Sequence, residues 1–224
     1  MGKQQVVAAM EKHGLIAVLR KIPDELLLET AQALYDGGVR VCEVAFCPDG
    51  SVGDEKTAQQ IAALSEKFGD IMTVGAGTVL SPEQVETAAK AGARFMVSPD
   101  VNEEVIKKTL SLDLVSVPGA FTPTEALAAH RAGADFIKIF PNGGMSPRYI
   151  AALKAPLPHL KLLAVGGITQ SNAAEFLAAG ASGLGISTGI IPEDALSRRD
   201  FAEIRRRAAF YSETVKSKKT DKSA

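Results

Sequence analysis

One short phrase recurs four times along this chain: Asp36-Gly37-Gly38-Val39-Arg40, Ala91-Gly92-Ala93-Arg94, Ala132-Gly133-Ala134-Asp135 and Ala179-Gly180-Ala181-Ser182. Each time a helical pattern precedes it and a short apolar run follows. Glycine takes the left-handed backbone at a helix C-terminus without steric cost, so each phrase predicts a helix that stops on glycine and turns straight into a strand. Repeated helix–glycine–strand units imply parallel strands joined by helical crossovers. Eight strands are expected, at residues 15–20, 41–46, 72–75, 95–98, 114–117, 136–140, 160–165 and 183–186, with helices in the gaps and a short helix near 4–13. Ser81-Pro82, Thr122-Pro123 and Ser146-Pro147 each set a capping hydroxyl before a proline suited to the first helical position. Eight such units predict a TIM (β/α)8 barrel with a short N-terminal helix; a doubly wound open sheet is the alternative.

The 224 residues suit one barrel domain over 1–216, and the polar, lysine-rich stretch 217–224 is expected to be a disordered tail. A formal charge of −1 gives no reason to expect a nucleic acid or an anionic membrane as partner. No apolar stretch is long enough to span a bilayer, and Met1-Gly2-Lys3-Gln4-Gln5 lacks the apolar block of a secretory signal, so a cytoplasmic protein is expected. Cys42 and Cys47 read as free thiols. Neither they nor His13, His130 and His159 compose a metal-ligand set, so no metal and no cofactor is expected.

Lys138 stands alone in the apolar run Phe136-Ile137-Lys138-Ile139-Phe140-Pro141. A lysine is almost never fully buried unless paired or functional. Desolvation lowers its pKa and frees an amine able to form a Schiff base with a carbonyl. The plain alternative is a strand-end lysine whose ammonium reaches solvent. Glu43 is the one charged residue in Val41-Cys42-Glu43-Val44-Ala45-Phe46. If both point inward, alternation puts Phe136, Phe140, Val41 and Ala45 inside with them. Ile137, Ile139, Cys42, Val44 and Phe46 then face helices. Opposite charges buried in two barrel strands form either a structural ion pair or a nucleophilic amine beside a proton-moving carboxylate.

Further candidates lie where strands end, the face on which barrel active sites are built. Arg20 suits a substrate carboxylate or a solvated loop. Gly75-Ala76-Gly77-Thr78 combines close backbone approach with a hydroxyl, and Val117-Pro118-Gly119 is expected to end the fifth strand. The last two units end in Gly166-Gly167 and Gly185-Ile186-Ser187-Thr188-Gly189, the corner where many such barrels bind phosphate through backbone N–H groups.

From about Gly14 to Pro192 the chain resembles the class I aldolases that cleave 2-keto-3-deoxy-6-phospho sugar acids. Gly38-Val39-Arg40-Val41-Cys42-Glu43-Val44, Gly75-Ala76-Gly77-Thr78-Val79-Leu80, Val97-Ser98-Pro99, Pro118-Gly119, Lys138-Ile139-Phe140-Pro141 and Gly166-Gly167 carry the likeness in order. The resemblance implies Lys138 as the Schiff-base lysine, Glu43 as general acid/base and Thr78 as a positioning group. It implies substrate contacts at Gly77, Pro118 and Phe140, with Gly166, Gly167, Ser187 and Thr188 around a phosphate. It further implies a homotrimer, no metal, and a phosphorylated keto acid and pyruvate as ligands. Ala164-Val165-Gly166-Gly167, Leu19-Arg20 and Pro147-Arg148-Tyr149-Ile150-Ala151-Ala152-Leu153-Lys154 look more like the galactonate-type branch, in which an arginine at the Arg20 position serves the carboxylate. The gluconate-type branch usually has an arginine where Cys47 stands, and the segment 47–54 matches neither branch. Rival readings are an aldolase for a related acid such as 4-hydroxy-2-oxoglutarate, a phosphate-binding isomerase or epimerase, and a non-catalytic barrel.

Overall fold

The computed structural model describes residues 1–142 and 144–220. Nine parallel strands form the barrel: β1 (Leu15–Leu19), β2 (Val41–Ala45), β3 (Thr73–Gly77), β4 (Phe95–Val97), β5 (Val115–Val117), β6 (Gly119–Ala120), β7 (Ile137–Ile139), β8 (Leu162–Val165) and β9 (Gly183–Ile186). Their order is β5-β4-β3-β2-β1-β9-β8-β7-β6. The helices are α1 (Lys3–His13), α2 (Asp24–Asp36), α3 (Asp54–Phe68), α4 (Pro82–Lys90), α5 (Glu103–Ser111), α6 (Pro123–Arg131), α7 (Arg148–Lys154), α8 (Ala173–Ala178), α9 (Glu193–Ser197) and α10 (Phe201–Thr220). This is a TIM barrel with an added N-terminal helix, as the repeat predicts.

The ninth strand comes from proline chemistry. Pro118 has no N–H to donate, and it divides the fifth barrel position into β5 below and β6 above. Below the break Phe95, Met96 and Val97 pair with Val115, Ser116 and Val117; above it Gly119 and Ala120 pair with Lys138 and Ile139. The Pro118 carbonyl accepts from the Lys138 N–H at 2.8 Å. Val117-Pro118-Gly119 therefore interrupts the strand instead of ending it.

The recurring phrase has one local geometry. Gly38, Gly92, Gly133 and Gly180 have φ values of +91°, +98°, +98° and +107°. The residue after each closes a hydrogen bond five residues back: Val39 to Leu34, Ala93 to Ala88, Ala134 to Ala129 and Ala181 to Phe176. That is the bond of a Schellman C-cap. At helix starts, Ser81 accepts from Gln84 N–H, and Thr122 and Glu125 cap one another reciprocally. Pro147 lies just before α7, so this helix starts one residue later than expected. α10 continues to Thr220, so 217–220 are helical and not a loose tail; 221–224 lie outside the described residues.

Side-chain alternation sorts the apolar residues into two cores. Ile16, Val41, Phe95, Val97, Val115, Val117, Phe136 and Leu163 fill the barrel, and Val6, Val7 and Met10 of α1 join them. Cys42, Val44, Phe46, Ile137 and Ile139 belong to the larger core between barrel and helices. Both cysteines are free and buried. Among the described residues no helix is long and apolar enough to cross a membrane.

Candidate active site

The inward positions of β2 and β7 carry, toward the C-terminal end, Glu43 and Lys138. Glu43 is 3% exposed and Lys138 6%. Burial is the main influence on both and disfavours each charge. It lowers the Lys138 pKa, an effect that Glu43 opposes and Arg20 reinforces. It raises the Glu43 pKa, against the pull of Lys138 and Arg20. The net direction favours a neutral amine beside a carboxyl group that holds its proton more tightly than usual. Lys138 Nζ lies 4.5 Å from the centroid of the Phe140 ring, two residues along the same strand face.

Arg20 follows β1 and reaches across the mouth, where its Nη2 donates to Thr78 Oγ1 at 2.9 Å. Thr78 is 8% exposed and has φ of +55°. A β-branched residue in the left-handed region is a steric outlier costing about 1–3 kcal/mol, retained where the surroundings enforce it. Here that backbone turns the hydroxyl toward the guanidinium. Arg20 and Thr78, just past β1 and β3, share a hydrogen bond, and Arg20, Glu43 of β2 and Lys138 of β7 influence one another electrostatically.

The expected phosphate corner adjoins this group. Gly166 and Gly167 have φ of +88° and +68°. A Cβ on Gly166 would stand 3.5 Å from the Phe140 ring, so this turn and the Lys138 strand are in contact. After β9, Ile190 and Ile191 both donate backbone bonds to the Ser187 carbonyl, which curls Ser187 and Thr188 around the mouth. Arg207 of α10 supports this turn from behind, its Nη1 3.3 Å from the Gly189 carbonyl. A cavity of about 370 Å3 opens between the β1 and β9 ends, lined in part by Val18, Arg20, Lys21, Ser187, Thr188 and Glu193. Pro118 is buried at the fifth strand position, beside the Lys138 backbone.

Some neighbours of this cavity carry no sequence signal. Lys21 has φ of +53° and pairs with Asp49 at 2.6 Å, tying the loop after β1 to the loop after β2. Asp49 also accepts from Ser51, and these bonds hold its carboxyl well below the usual range. The segment 47–54 is thereby anchored to the mouth. Only the adjacency of Lys21 to Arg20 would have hinted at this. His130 of α6 and His159 in the turn before β8 meet with tilted rings, centroids 4.9 Å apart, away from the site. Among the described residues no three His, Cys, Asp or Glu side chains converge as a metal cluster.

The family model for KDPG and KHG aldolase matches residues 6–207. The 2-dehydro-3-deoxy-6-phosphogalactonate aldolase of Escherichia coli K12 is 39% identical over 181 residues, covering 80% of this chain and 85% of that protein. A solved native KDPGal structure superposes with a TM-score of 0.82 at 33% identity, covering 92% of this chain and 96% of the other. A KDPG aldolase from Legionella pneumophila, holding pyruvate as a covalent carbinolamine, gives a TM-score of 0.80 at 27% identity, with 91% and 96% covered. With a matching family model over residues 6–207 and a relative 39% identical over 80% of its length, this chain belongs to the KDPG and KHG aldolase family and is an aldehyde-lyase.

Proposed function

We propose that the protein is a Schiff-base aldolase that cleaves 2-keto-3-deoxy-6-phosphogalactonate reversibly to pyruvate and glyceraldehyde 3-phosphate. The observation that carries this reading is a buried lysine coupled to a buried glutamate at the C-terminal end of the barrel. Neutral Lys138 attacks the C2 ketone, and the carbinolamine loses water to give a protonated imine. Glu43 takes the C4 hydroxyl proton, the C3–C4 bond breaks, and its electron pair passes into the imine to form an enamine. Glyceraldehyde 3-phosphate leaves. Protonation at C3 and hydrolysis then release pyruvate and the free amine.

In this scheme Arg20, steadied by Thr78, receives the substrate carboxylate, and Phe140 and Pro118 flank the pyruvyl portion. The backbone N–H groups of Gly166, Gly167, Ser187 and Thr188 hold the phosphate. No cofactor takes part. The enzyme works as a homotrimer in the cytoplasm; exposed Leu80 and Phe121 are apolar surface that a second copy would cover. The galactonate-type substrate is favoured by the likeness to the Escherichia coli relative and by the Arg20–Thr78 bond.

Pyruvate release should be followed for the two C4-epimeric 2-keto-3-deoxy-6-phospho acids and for 4-hydroxy-2-oxoglutarate. The galactonate epimer is expected to give the highest kcat/KM. A higher value for the gluconate epimer or for the unphosphorylated acid would overturn the substrate assignment.

A further inference from the structure

The inward-facing positions of β3 beside the reactive pair are Gly75 and Gly77, and neither has a side chain. In strand register Glu43 pairs with Gly75 and Ala45 with Gly77. Yet the Glu43 carboxylate does not lie over Gly75. The Phe95 ring from the opposite neighbour occupies that space: a Cβ on Gly75 would stand 2.5 Å from it. The glutamate leans one rung toward the mouth, as strand side chains lean along their chain direction, and lies against Gly77. A Cβ there would collide with Oε1 and stand 2.8 Å from Cδ and 3.2 Å from Cγ. Gly77 has no positive φ among the backbone angles, so conformational freedom does not account for glycine here.

We propose that Gly77 is a positioning residue for the Glu43 carboxylate: the volume its missing side chain leaves open is where that carboxylate rests. Gly75 is its counterpart one rung deeper, where the vacant volume receives the Phe95 ring and closes the floor under the carboxylate. Gly77 thereby acts through Glu43 and not as a substrate contact, the role its place in the motif suggested. The adjacent Thr78 then continues the same turn with its hydroxyl on Arg20. A glycine at this position lets a long carboxylic acid rise to the level of the lysine without moving either backbone. This inference rests on Glu43 being the proton-transfer group of the aldolase reading.

The test uses five proteins: wild type, Gly77→Ala, Glu43→Ala, Gly77→Ala/Glu43→Ala and Gly77→Ala/Glu43→Asp. Each is assayed for thermal melting, aldol cleavage, and borohydride trapping of pyruvate on Lys138. Gly77→Ala is expected to melt lower than wild type and to lose about 10²-fold in kcat, the scale of a 1 Å misplacement, with little change in KM. Its trapping of pyruvate should persist. In the Glu43→Ala background the methyl group has room, so the added Gly77→Ala should change neither melting nor residual rate. The shorter aspartate should restore part of the cleavage that Gly77→Ala removes. Equal losses in both backgrounds would overturn the proposal and make Gly77 a requirement of the strand alone. So would wild-type kcat in Gly77→Ala. If Gly77→Ala does not fold, folding of Gly77→Ala/Glu43→Ala supports the proposal and its failure to fold contradicts it. A wild-type protein that neither cleaves nor traps would defeat the aldolase reading, while the melting arm would still decide the packing claim.

Discussion

The two ends of the barrel interior use the same strands and the same side-chain parity, yet they are chemically opposite. The N-terminal end is lined by apolar side chains: Ile16, Val41, Phe95, Val115, Phe136 and Leu163 pack there, and Val6, Val7 and Met10 of α1 close it from below. The C-terminal end gathers Glu43 and Lys138, with Arg20 and Thr78 above them. Entering β7 the change takes two residues, from Phe136 to Lys138, and on β2 it takes two, from Val41 to Glu43. One rung separates a layer that stabilises the fold from a layer that lowers stability and supplies chemistry. Buried charges cost desolvation, and the apolar layer beneath them offsets it.

The comparison breaks if a change at one end has the effect expected of the other. Lys138→Ala should have the largest consequence, abolishing cleavage in a pyruvate-release assay while the protein stays folded. Glu43→Gln should lower kcat by about 10²–10⁴, the usual worth of a positioned acid or base, without preventing the amine from meeting pyruvate. Phe136→Ala tests the opposite end. It should cost about 3–5 kcal/mol in urea denaturation, with a far smaller effect on kcat below the transition. Replacing both charges by neutral groups of similar volume, as Lys138→Met/Glu43→Gln, should leave stability unchanged or raise it by about 1–4 kcal/mol, because no unpaired charge remains.

The smallest expected effect concerns pH. Catalysis needs anionic Glu43 and neutral Lys138, so activity falls as pH drops through the raised Glu43 pKa and the lowered Lys138 pKa. The acid limb of kcat/KM should lie above the ordinary carboxylate range of about 4.3. Arg20 pulls both pKa values down. Arg20→Met should therefore move that limb to higher pH, by a modest amount because the arginine is exposed and screened by solvent. A shift to lower pH would contradict the electrostatic account.

Local rules explain which parts of this molecule could be read from sequence. The glycine phrase marks its helix ends because a Schellman cap involves only six consecutive residues. The inward set of β2 and β7 follows from a period of two, and the two cores divide Phe136 from Ile137 and Val41 from Cys42 accordingly. Features that depend on register or packing between distant segments were not legible. The division of the fifth strand at Pro118 depends on which neighbour each half meets. The placement of α1 under the barrel, the Lys21–Asp49 tie and the fit of Glu43 against Gly77 join residues 28 or more positions apart or bring together separate elements. Gly77 stands out in sequence as part of a motif, but only the place of the Glu43 side chain against it explains what its missing side chain is for.

The central claim is that the lone lysine in the apolar strand β7 is the covalent nucleophile. Incubation with pyruvate, reduction with borohydride and peptide mass spectrometry test it directly. A pyruvyl adduct on the peptide containing Lys138, absent from Lys138→Ala, is the predicted result. No adduct in the folded protein, or an adduct on another lysine, would contradict it.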